Sequence, residues 1–271
     1  MTTDAADRIA HEWGAVTAAL SALVATTDAT DAADGAHGAD AAWELPTRLP
    51  GWSVADLARH IHWGVTLEAD GLGLVGTDGT RRAHGREHAG PAADLPDAVR
   101  AAVETLVQRA RALPDDAAAV VPMPYGDVPL AVALDVFVME AAVHRSDLAH
   151  ALAAAGHPAA GLAGPGDELT PATVASTAAF LQGWWDVLAT GAPRPPAGTS
   201  IRLEGTSTAV TSRFAAGAWA PFDGPATTTV RGDDSAVLLF ALGRIPLDDA
   251  RLSVVGEGQH AARLKEYLPG P

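Results

Sequence analysis

The stretch Asp135–Leu148 (DVFVMEAAVHRSDL) constrains this chain more than any other. It is apolar enough to be a buried helix, yet it carries Glu140 and His144 four residues apart. At that spacing both side chains leave one face of a helix, roughly 5–6 Å apart at Cβ. A carboxylate flanked by Val138, Met139, Ala141, Ala142 and Val143 has to be paired, protonated or bound to a cation, because burying it alone is costly. Asp147, three residues beyond His144, is placed to orient an imidazole or to bond Arg145. Any fold for this chain must therefore enclose a polar site within helices.

A second segment, WSVADLARHIHW, supplies His60. On a helix His60 shares a face with Leu57, Gly64 and Leu67, whereas His62 lies about 200° round and faces elsewhere. Inward Glu and His residues on different helices of a bundle are the general arrangement for an internal metal. Two imidazoles and one carboxylate leave coordination positions open, and Zn²⁺, Fe²⁺, Ni²⁺ and Mn²⁺ all accept that set. The competing reading is a core histidine beside a buried Glu–His hydrogen bond.

Hydrophobic residues make up 48% of the 271, enough for a substantial core. The balance of 18 basic and 33 acidic residues gives a net charge of −15. With no basic stripe, a nucleic-acid partner is not expected. There is no cysteine, so any thiol chemistry needs a thiol from outside the chain. The acidic, amphipathic N-terminus and the lack of a run of about 18–20 apolar residues predict a cytoplasmic protein without a membrane span.

Periodicity predicts helices over Ala5–Ala25, from Ser53 to about Leu72, over Leu95–Leu113, and from Pro129 to about Ala155. Asp28–Ala42, Gly76–Asp94 and Pro114–Pro129 read as loops or connections. Ser53 with Asp56 three residues on forms a capping box for the second helix. Four such helices suggest an antiparallel bundle. Pro171–Leu188 is a further helix, and the texture then changes. Ser200–Leu203, Ala209–Phe214, Thr227–Arg231 and Arg251–Val255 read as strands, Ser235–Leu242 and Gln259–Tyr267 as helices. The expected architecture is α plus α+β: a helical bundle over residues 1–160 and a smaller α+β domain over 161–271.

Arg48–His60 (RLPGWSVADLARH), followed by Glu140-x-x-x-His144-x-x-Asp147-Leu148, resembles the mycothiol-dependent maleylpyruvate isomerase family, part of the DinB-like metalloenzyme superfamily. Thr227–Leu242 and the stretch RIPLDDARLSVVGEGQHAARL resemble its sterol-carrier-like C-terminal domain. The resemblance implies a DinB-like four-helix bundle, zinc held by His60, Glu140 and His144, and mycothiol as cofactor. It also implies an arginine from the C-terminal domain, matched best by Arg244 and next by Arg231. The implied partners are a low-molecular-weight thiol and a small electrophilic, anionic substrate such as maleylpyruvate, isomerised by thiolate addition, rotation and elimination. An S-transferase, a metal-dependent hydrolase or transferase without mycothiol, and a non-enzymatic small-molecule or lipid-binding module are the other readings.

Smaller features have two readings each. Arg81, Arg82, Arg86, His84 and His88 make Gly76–Asp94 locally basic, as a mobile flap drawing in anions or as a solvated loop. Trp184–Trp185 could dock the two domains or fill a core, and Trp52 and Trp63, which flank His60, read as core aromatics first and as walls of the site second. Tyr125, in a Pro/Gly-shaped loop, could reach the site as a donor. No phosphate-binding glycine loop or serine nucleophile elbow is present.

Overall fold

A computed structural model describes residues 2–34, 42–77, 79–113, 118–154 and 168–269. The chain forms two compact units, residues 1–166 and 167–271. The expected boundary at residue 160 lies outside the described residues.

The first unit contains α1 (Thr2–Asp34), α2 (Val54–Gly73), α3 (Leu95–Arg111) and α4 (Leu130–Ala154). Helix α1 packs against α3 and α4, and α2 lies against α3 and also meets α4. Its buried stripe is Ile9, Trp13, Val16, Leu20 and Leu23, the i/i+3/i+4 pattern of the sequence. The helix continues to Asp34, past the expected end at Ala25, because the Ala/Thr/Asp run has no residue that breaks it. Residues 35–41 of the expected loop lie outside the described set.

Helix α2 begins where the sequence placed it. Ser53 accepts a hydrogen bond from the Asp56 amide, and the Asp56 carboxylate accepts one from the Ser53 amide. The turn before it is closed by backbone bonds from Thr47 to Trp52, Trp52 to Leu49 and Val54 to Leu45. Gly51 sits there at φ 81°, a conformation that a side chain would strain.

Pro114–Pro129 is not merely a connection. It contains an antiparallel hairpin, β1 (Val120–Met123) and β2 (Gly126–Pro129), joined through Pro124 and Tyr125. Val121, Met123 and Val128 are buried. A Cβ at Gly71 would stand 2.8 Å from Val121 and 3.0 Å from Met123, so the missing side chain lets the hairpin sit on α2. Strands of four residues interrupted by prolines leave little periodicity to read, which is why the hairpin is obscure in the sequence.

The second unit opens with α5 (Pro171–Leu188), capped by Thr170. A five-stranded mixed sheet follows: β3 (Ser200–Glu204), β4 (Ala209–Ala215), β5 (Ala218–Pro221), β6 (Thr228–Arg231) and β7 (Ser253–Gly256). The order is β5-β4-β3-β6-β7, with only β3 and β6 parallel. Strand β5 was not expected; it follows β4 through a turn at Ala216–Gly217, both residues at positive φ. Helix α6 (Asp234–Ala241) is capped by Asp233. The expected last helix is broken at Arg263 into α7 (Gly258–Ala262) and α8 (Leu264–Tyr267). Helix α5 packs on β4 and β5, and Trp185 lies 5.6 Å from Trp219 within this core. Trp185 is therefore a core residue of its own unit. The architecture is helical first and mixed-sheet α+β second, as expected.

Candidate active site

Helix α4 is buried almost all round, so whichever way Glu140 and His144 point they meet protein. Their i, i+4 spacing brings His144 Nε2 to 3.2 Å from Glu140 Oε2. His144 is buried; the Glu140 side chain keeps 23% exposure, so one edge of the pair opens outward. The His60 ring, from α2, meets the His144 ring edge to face with centroids 5.2 Å apart. Trp52 lies 5.0 Å from His60 on one side and Trp63 stacks at 6.0 Å on another. Trp52 and Trp63 thus both flank His60.

Behind His144 lies Asp147, fully buried, with Oδ2 3.6 Å from His144 Nδ1. Its other oxygen accepts a 2.7 Å hydrogen bond from Arg48 Nε, and Arg48 Nη2 donates at 2.6 Å to Ser146 Oγ. Arg145 instead approaches Glu12 of α1, at 3.6 Å. Burial works against the imidazolium of His144, but the nearby Asp147 and Glu140 carboxylates outweigh it and raise its pKa to about 9.

Glu68 was not anticipated. It stands eight residues after His60 on α2, is 5% exposed, and is held well above the carboxylate range, first by burial and then by the charge of Glu140. The indole of Trp13 acts weakly the other way. Its place on the helix face of Ile61, Val65 and Leu72 was the available signal. Tyr125, at the hairpin tip, joins the same electrostatic neighbourhood. Its pKa is pushed up to about 12 by desolvation and then by Glu68 and Glu140. The residue as a whole is 65% exposed, so the crowding concerns the hydroxyl end.

The loop over Gly76–Asp94 is neither a free flap nor merely solvated. It runs along α2, held by Ala83 N to Pro122 O (2.8 Å), His84 N to Asp70 Oδ2 (3.0 Å) and Arg86 N to Thr66 Oγ1 (2.7 Å). A Cβ at Gly85 would come within 2.5 Å of the Trp63 indole, so this glycine lets the strap press on the tryptophan that stacks on His60. Arg82 pairs with Asp127 of the hairpin, and Arg81 approaches Asp70.

The expected arginines lie in the second unit. Arg231, on β6, pairs with Glu204 directly across on β3, at 3.2 Å. Arg244 is half-buried and donates to the Leu242 carbonyl at 2.8 Å. Lys265 lies beside it, its stem packed over Gly243 at φ 73°. Burial, then the charge of Arg244, lowers the Lys265 pKa to about 8 from an ordinary 10.5. Between those values the unfolded chain holds the proton and the folded chain has released it, so stability rises with pH over that interval. The deficit of wild type relative to Lys265→Met should therefore shrink from pH 8 to 10.5 in urea titrations. A difference independent of pH would show that the ammonium is solvated.

Imidazole and carboxylate are donors that suit a divalent cation, and His60, Glu140 and His144 are neighbours in pairs. Among the described residues, however, no group of three or more His, Cys, Asp or Glu side chains is gathered closely enough to hold a metal ion. Glu140 and His144 instead bond to each other. The fit is one of donor chemistry and neighbourhood, not of a formed coordination shell.

With this geometry in place, comparison with known proteins decides the family. The family model described as "Mycothiol maleylpyruvate isomerase N-terminal domain" matches residues 13–149, half of the chain and the whole region around the site. The chain belongs to the mycothiol maleylpyruvate isomerase family. It is a family of enzymes, so the non-enzymatic reading falls away. Two solved structures, a mycothiol-dependent maleylpyruvate isomerase and a histidine-to-alanine mutant of it, share the fold. Each has a TM-score of 0.61 at 16% identity, over 95% of this chain and 94% of the other. No curated protein matches. Among the described residues no helix is long and apolar enough to cross a membrane.

Proposed function

We propose that this enzyme binds a divalent metal, zinc by default, through His60, Glu140 and His144, and uses mycothiol on a small unsaturated acid of the maleylpyruvate type. The observation that carries the reading is the meeting of the His60 ring with the Glu140–His144 pair inside the region that matches the family. A divalent cation there would lower the pKa of a thiol brought to it. Mycothiol would supply the nucleophile for reversible addition to an activated cis double bond, with rotation before elimination.

The chain's own residues account for the rest. His60 and His144 present their rings from two helices, and Trp52 and Trp63 restrict how the His60 ring can turn. Glu140, partly exposed, marks the open side. Tyr125, at the hairpin tip and within electrostatic reach of Glu68 and Glu140, would donate to a substrate oxygen. For the substrate carboxylate the family resemblance favours Arg244, with Arg231 second; a guanidinium can form two parallel bonds to a carboxylate.

The test is an ultraviolet assay of cis–trans conversion of maleylpyruvate by the purified protein. It would be run with and without mycothiol, and after chelation followed by zinc. Turnover should require both additions. Turnover without any thiol would overturn the mycothiol reading and favour a metal-dependent hydrolase or transferase; full activity after chelation would overturn the metal.

A further inference from the structure

The geometry points to Arg48 as a positioning residue that sets which nitrogen of His144 faces the site, acting through Asp147. This rests on the metal reading above. Asp147 has no exposed surface and Arg48 only 9% of its side chain, so neither charge can turn to water for compensation. Arg48 Nε takes one oxygen of Asp147 at 2.7 Å. The second oxygen lies 3.6 Å from His144 Nδ1. The opposite ring nitrogen, Nε2, is the one at 3.2 Å from Glu140. A neutral imidazole has one proton and one lone pair. With a cation bound, a carboxylate on the Nδ1 side would favour the proton there and would leave the Nε2 lone pair as the donor.

Arg48 does more than neutralise Asp147. Its second bond, to Ser146 at 2.6 Å, makes the guanidinium grip two consecutive residues of α4. Arg48 also sits in the turn that starts α2, cross-tied by Thr47 to Trp52 and Val54 to Leu45. One side chain thus links the lead-in of the His60 helix to the helix bearing Glu140 and His144, across 99 residues of sequence. Lysine can supply the charge but not the fork, so it should restore only part of the effect.

The experiment measures zinc affinity of the metal-stripped full-length protein against a chromophoric chelator, with a melting curve for each variant. Arg48→Met should bind zinc about 10–100-fold more weakly than wild type, the usual consequence of losing an outer partner of a metal-bound histidine. Arg48→Lys should recover part of that loss, and Asp147→Asn should behave like Arg48→Met. Arg8→Met serves as the control: it removes another arginine–aspartate pair on α4, Arg8 of α1 with Asp135 at 3.8 Å, and should leave affinity unchanged. Wild-type affinity in a folded Arg48→Met protein with a lowered melting point would overturn the proposal and make Arg48 a structural pin. If Arg48→Met does not fold, Arg48→Lys decides by the same criterion. Wild-type protein that takes up no zinc would instead overturn the reading of the site itself, and this inference with it.

Discussion

Purified His144→Ala should contain no stoichiometric zinc and show no turnover, whereas wild type should carry about one ion per chain. On the proposed metal reading the loss should exceed the roughly 10–100-fold expected for an outer partner, because the substitution would remove a donor rather than its support. It also strips Glu140 of the nitrogen 3.2 Å away. The protein should still fold, since Asp147 keeps its bonds to Arg48 and the shortened side chain lies in a helix rich in alanine. That separates loss of metal from loss of structure. Elemental analysis of wild type and His144→Ala, prepared side by side with circular dichroism as the folding check, decides the matter. Equal metal in both would leave the site without its basis. His60→Ala should give a weaker version of the same result, because Glu140 and His144 remain paired on α4.

Trp13→Ala should be the most destabilising single truncation in the first unit, by about 3–5 kcal/mol. Trp13 is 1% exposed on the face of α1 that packs toward α3 and α4, and its indole influences the buried Glu68 on α2. Removing it opens a cavity among the helices and takes away a neighbour that works against the upward shift of Glu68. A loss of that size corresponds to a melting point lower by about 10 °C in a unit of this length. Trp13→Phe should cost less, since most of the apolar surface stays. Urea titrations followed by circular dichroism would measure both; a loss below about 1 kcal/mol for Trp13→Ala would mean that the surrounding helices collapse into the space.

Much of this protein is legible in its sequence because local chemistry settles it. The capping box at Ser53 and Asp56, the proline at the start of α5 and the spacing of Ile9, Trp13, Val16 and Leu20 each specify a helix through contacts within a few residues. The juxtaposition of Glu140 and His144 follows from helical pitch alone. The same reasoning fails where contacts are distant. The hairpin over Val120–Pro129 exists because Gly71, about fifty residues earlier, leaves room for it. The strap over residues 80–91 is held by α2 and β1, not by its own composition. The two buried members of the site that pattern alone did not pick out, Arg48 and Glu68, acquire their roles only from what they meet.

Residue types, helix faces and the kind of chemistry they allow were determined by the chain read as a string, since period and capping act over one or two turns. Which charge neutralises Asp147, how closely the His60 ring approaches His144, and whether Glu68 is solvated were decided only by tertiary packing. Those are properties of distance and desolvation between segments remote in sequence, and no local pattern encodes them.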